Sequence, residues 1–132
     1  MSFQGKIPYG SFATQMIGVW TRIRDAAVDD PTPSTLNELL ERLGFLRGAV
    51  ASWPAHPLER RHQQALMALI EDTVLWVKAQ RDGGDVEAAE RDMSETVMGV
   101  HAEVLRLTAA RRSAGATPSD DGGQRENNAE RS

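Results

Sequence analysis

Three short clusters of helix-breaking residues divide this chain, and they constrain its fold more than any other feature. Asp29-Asp-Pro-Thr-Pro-Ser34 places two prolines within three residues, which removes backbone donors and disfavours helix. Trp53-Pro-Ala-His-Pro57 does the same further on, and Asp82-Gly-Gly-Asp85 offers glycines to end one helix and an aspartate to start the next. The breaks leave four segments, about 11–28, 34–53, 57–82 and 85–112. Ser34 or Thr35 is suited to cap the second, and Thr35 with Glu38 has capping-box spacing.

Every segment repeats its apolar residues in steps of three and four. The first aligns Phe12, Met16, Trp20, Ile23 and Ala27; the second Leu36, Leu39, Leu43, Leu46 and Val50. The third aligns Leu58, His62, Ala65, Leu66, Leu69, Thr73, Trp76 and Val77; the fourth Val86, Ala89, Met93, Val97, Val100, Val104 and Leu107. Such stripes mark amphipathic helices, and no stretch alternates with the period of two that a strand requires. The expected fold is all-α, an antiparallel bundle of four helices, because short loops make successive helices antiparallel neighbours. At 1.5 Å per residue the first two helices would span roughly 27–30 Å and the last two roughly 39–42 Å. The longer pair would then overhang, to be covered by residues 1–10, with Phe3, Ile7 and Tyr9, or by a second chain.

A length of 132 residues suits one domain, expected over 1–112. Residues 113–132 are small and polar and cannot offset chain entropy, so a disordered tail is expected there. The chain carries 15 Lys and Arg against 19 Asp and Glu, a net charge of -4, which argues against coating nucleic acid by bulk charge. The absence of cysteine excludes disulfides, thiolate metal sites and cysteine nucleophiles. The most apolar run, Ala65–Val77, is broken by Glu71 and Asp72 and falls short of the ~20 residues of a membrane span. With no signal-peptide pattern at the start, a cytoplasmic location is expected.

Chemistry-bearing motifs are scarce. There is no Walker loop, Gly-x-Gly-x-x-Gly or Gly-x-Ser-x-Gly, so neither a cofactor nor an enzymatic activity is expected. Glu59-Arg-Arg-His62 has the Glu-x-x-His spacing of ferritin-like di-iron bundles, where residues three apart on a helix chelate together. Those sites need a second such motif, which this chain lacks, so a metal at Glu59 and His62 is a secondary reading that a dimer would have to complete.

Residues 38–50, Glu-Leu-Leu-Glu-Arg-Leu-Gly-Phe-Leu-Arg-Gly-Ala-Val, resemble the helix-turn-helix of bacterial transcription regulators over about 15 residues. The resemblance implies a turn at Gly44, a recognition helix from about Arg47 with Val50 as its anchor, and Arg47 as first DNA contact. It departs at Leu40, where a small residue is usual, at Leu46, where a polar cap is usual, and at Pro54, which stops the second helix early.

The stronger signal is surplus apolar surface. The third segment carries a second row, Met67, Ile70 and Val74; the fourth carries Met98 and Leu105 off its main stripe; Phe45 opposes the leucine stripe of the second. A helix apolar nearly all round is central in a core or covered by a partner. The leading expectation is a non-catalytic protein–protein interaction module that self-associates through helices three and four, using Phe45, Met67, Ile70, Val74, Met98 and Leu105.

Overall fold

The computed structural model describes residues 8–115, and these form four α-helices and one 3-10 turn with no strand among them. α1 spans Tyr9–Asp29, α2 Pro33–Ser52, α3 Arg60–Asp82 and α4 Val86–Gly115, with the 3-10 turn Pro57–Glu59 leading into α3. The expected all-α bundle is what the chain forms. The proposed tail boundary moves: residues 113–115 continue α4, and the rest of the tail lies outside the described residues.

Local chemistry accounts for the helix ends. Thr32, not Ser34 or Thr35, caps α2: its side chain accepts from the Thr35 N–H at 3.3 Å, with Pro33 at the first helical position, where its missing N–H costs nothing. The Thr35 hydroxyl donates instead to Asp30 at 2.7 Å. The 3-10 turn has a capping box built on histidine: His56 Nδ1 accepts from the Leu58 N–H, and Glu59 accepts from the His56 N–H. α3 ends at Gly83, whose φ of 75° is the left-handed conformation that favours glycine, and the Gly84 N–H returns to the Ala79 carbonyl at 2.8 Å. Asp85 then caps α4 by accepting from the Ala88 N–H at 3.0 Å.

Cross-helix contacts establish the direction of each neighbour. Phe12 near the start of α1 stacks on Trp53 just past the end of α2, with ring centroids 3.9 Å apart and planes 11° from parallel. Arg81 at the end of α3 donates to Asn37 near the start of α2. Arg61 at the start of α3 pairs with Glu103 in the second half of α4, and Arg111 reaches back to Glu59. Successive helices are therefore antiparallel. α1 and α3 run parallel and in register: Tyr9 meets His62 and Trp20 meets Thr73, each pair 53 residues apart in sequence.

α3 packs against the other three helices, with α2 and α4 as its main partners. Its second apolar row follows from that position. Gln63, which starts the row Gln63, Met67, Ile70, Val74, donates to the carbonyls of Val50 and Trp53 at the end of α2. The row therefore faces α2. Ile70 is 0% exposed, and Met67 and Val74 are half-buried against the core. The expectation that Met67, Ile70 and Val74 form an intermolecular surface is corrected: they close the monomer's own α2–α3 seam. The expected overhang of the α3–α4 pair reduces to the last turn of α4, and Phe3 and Ile7, expected to cover it, lie outside the described residues. The helices are 21, 20, 23 and 30 residues long, and the α3 hairpin partner level with Glu59 is Arg111, four residues before the end of α4.

Candidate interaction face

α1 and α4 are the sides of the bundle that close least upon each other, since α1 packs chiefly on α2 and α4 on α3. Between them runs a groove in two parts. One end, about 770 Å³, has Trp20 and Trp76 at its base and Met93, Val97 and Met98 along α4, with Asp25, Asp29 and Glu90 at the rim. The other, about 280 Å³, is walled by Ala13 and Ile17 of α1 and by Val104 and Leu107 of α4, above Tyr9 and His62.

The polar groups beneath the groove are mostly tied. The Trp20 indole donates to Thr73 Oγ1 at 2.7 Å, and that hydroxyl donates to the Leu69 carbonyl at 2.6 Å. Tyr9 Oη lies 2.7 Å from His62 Nδ1, with the two rings edge to face. Burial holds the His62 imidazole below its usual pKa; Arg111 adds to that, while Glu103 and Glu59 oppose it. Burial likewise pushes the Tyr9 phenol well above its ordinary range, reinforced by Glu59 and opposed by Arg111. This is a neutral hydrogen-bonded pair that pins the start of α1 to α3.

Both candidate metal ligands are engaged within the chain. The Glu59 carboxylate is taken up by the His56 N–H and by Arg111, and His62 Nδ1 by Tyr9. Among the described residues no three His, Asp or Glu side chains are grouped to hold a metal ion. Glu59 and His62 instead occupy structural positions at the start of α3. The helix-turn-helix expected at 38–53 is not formed. A helix-turn-helix requires a turn, and residues 38–52 lie within one helix that passes through Gly44 unbroken. Arg47, its first contact residue, pairs with Glu71 of α3 at 2.9 Å.

Of the expected interface residues, Met98 and Leu105 are 72% and 59% exposed. They lie seven residues apart, hence on one face of α4. Val97 and Val104 adjoin them and are also exposed, although the periodicity assigned both to the core stripe. The cause is the position of α4 at the edge of the bundle: Met93, Val100 and Leu107 are buried, and the residues one position round the helix are left open. Phe45 is 76% exposed on the outer side of α2, and lines neither part of the groove. No helix among the described residues is long and apolar enough to cross a membrane. Comparison of the chain with protein-family models, curated proteins and solved structures finds no match.

Proposed function

We propose that this protein is a non-catalytic helical interaction module whose docking surface is the outer face of α4 and the groove it forms with α1. One observation carries the reading: Val97, Met98, Val104 and Leu105 stand exposed side by side on α4. Contiguous apolar surface of this kind is where proteins dock partners, because covering each large side chain recovers roughly 1.5–3 kcal/mol. The groove beside it is long, shallow and walled by two helices, a shape that receives a helix. The proposed surface is narrower than the sequence suggests, since α3 contributes to it only through the floor of the groove.

Site-specific photo-crosslinking in the native host tests the reading. A photoreactive residue at Met98 or Leu105 should yield protein adducts, and the same residue at Gln64, exposed on α3, should not. Equal yields at all three positions, or none at any, would remove the basis for assigning the face this role.

A further inference from the structure

The outer face of α4 has an order that identifies its occupant. Nine exposed residues of this face, which also carries Glu87, are ordered about one midpoint: Glu90, Ser94, Val97, Met98, His101, Val104, Leu105, Thr108 and Arg112. His101 is their midpoint. Met98 and Val104 lie three residues to either side of it, Val97 and Leu105 four, Ser94 and Thr108 seven, Glu90 and Arg112 eleven. Offsets of three, four, seven and eleven are those that keep residues on one face of a helix. At each offset the two chemistries are the ones that attract or tolerate each other: aliphatic with aliphatic at three and four, hydroxyl with hydroxyl at seven, acid with base at eleven.

We infer that the occupant is a second copy of this chain, its α4 packed antiparallel on the first across a two-fold axis at His101. The inference rests on the reading of this face as a docking surface and names its partner. A two-fold axis perpendicular to two antiparallel helices sets each residue level with the one equally far on the other side of the midpoint. Glu90 then meets Arg112 of the second copy, Ser94 meets Thr108, Val97 meets Leu105, Met98 meets Val104, and His101 meets itself. Glu90 and Arg112 belong to none of the ion pairs formed among the described residues, so both charges remain available. Across the groove from Glu90 the α1 wall carries Asp29 and the Arg24–Asp25 ion pair, so Asp29 and Glu90 are the carboxylates there outside that pair. The possible conflict lies between Arg91 and Arg111, ten residues from the midpoint. Arg111 lies in the groove against α1, where its charge is already paired with Glu59. A parallel pairing would instead set Glu90 against Glu90 and Arg112 against Arg112, which like-charge repulsion disfavours.

The chain has no cysteine, so a single introduced thiol reports on one position alone. In the full-length protein under mild oxidation, His101→Cys should form a disulfide-linked dimer readily. Met98→Cys should not, because its own counterpart lies six residues away along the pair, roughly 9 Å, beyond disulfide reach. Mixing Met98→Cys with Val104→Cys should restore cross-linking. In sedimentation equilibrium, Glu90→Arg and Arg112→Glu should each weaken association by roughly tenfold, since symmetry places the pair twice. The double exchange should restore it. A wild type that stays monomeric at high micromolar concentration, with His101→Cys no more reactive than Gln64→Cys, would overturn the inference. So would equal cross-linking at positions 98 and 101, or a double exchange no better than the singles. Photo-adducts at Met98 and Leu105 with a different protein would still support the docking face, so the two conclusions fail separately.

Discussion

Two rows of apolar residues look equivalent in the sequence and end in opposite environments. Met67, Ile70 and Val74 on α3, and Met98 and Leu105 on α4, both lie off the main stripe of their helix. The first row is covered by α2, with Ile70 completely buried, whereas the second stays open with Met98 72% exposed. The side chains do not distinguish them; the neighbours do. Among the described residues α3 has a helix on each flank, whereas α4 packs chiefly on α3 alone. On α3 the surplus apolar surface marks a second helical neighbour within the chain, whereas on α4 it stays exposed, and only the proposed docking reading supplies it with a neighbour.

The largest test of this contrast is Ile70→Ala. Removing a fully buried aliphatic side chain leaves a cavity between α2 and α3 and should cost about 2–5 kcal/mol in denaturant unfolding. A loss below about 1 kcal/mol, the range of tolerated volume changes, would mean that the α2–α3 seam is loose and the two rows are alike after all.

The same contrast explains what could be read from the sequence. Helix number, order and breaks were legible because proline, glycine and aspartate act locally, at Pro31, Pro33, Pro54, Gly83 and Asp85. The core was legible on α2, whose five stripe residues are all buried, because a flanking helix with one apolar face has one way to turn it. It was less legible on α4, where Val97 and Val104 keep the period yet remain exposed, since periodicity records the centre of a buried arc and not its width. His62 was legible as a core histidine but its partner was not, because Tyr9 lies 53 residues away and only the parallel register of α1 and α3 brings it near. The order about His101 stands in the sequence, but it acquires meaning only once all nine residues are known to be exposed.

A smaller effect separates the pinned end of the groove from the open face. His62 is buried, and its pKa lies below the usual 6.5 because burial disfavours the charged ring. Tyr9 of α1, Glu59 of the 3-10 turn, and Glu103 and Arg111 of α4 surround it. As pH falls below 6.5 the unfolded chain gains a proton that the folded chain resists, so stability is full above that pH and declines below it. The decline should not exceed about 1.4 kcal/mol per pH unit for one group. Unfolding free energies measured on both sides of pH 6.5 should show the slope in the wild type and a shallower one in His62→Gln, which keeps a hydrogen-bonding group without titrating. His56 and His101 are present in both proteins, so the comparison isolates position 62. Identical slopes would show that His62 takes its proton without resisting, and that the Tyr9 contact does not hold a neutral ring.

The smallest expected effect is the most direct probe of the open row. Leu105→Glu should change the stability of the isolated monomer by no more than about 0.5 kcal/mol, as is usual for exposed positions away from caps and pairs. Glutamate is a good helix former, and at this site no neighbour within the chain would be left unsatisfied. The measurement belongs at protein concentrations low enough to dissociate any second copy, because binding to the folded state alone would add to apparent stability. At higher concentration the same variant should differ from the wild type, since a carboxylate would then enter an aliphatic contact. A concentration-dependent difference that vanishes on dilution places Leu105 at an interface. A difference that persists at every dilution places Leu105 in the monomer's own core, and the contrast between the two rows would be lost.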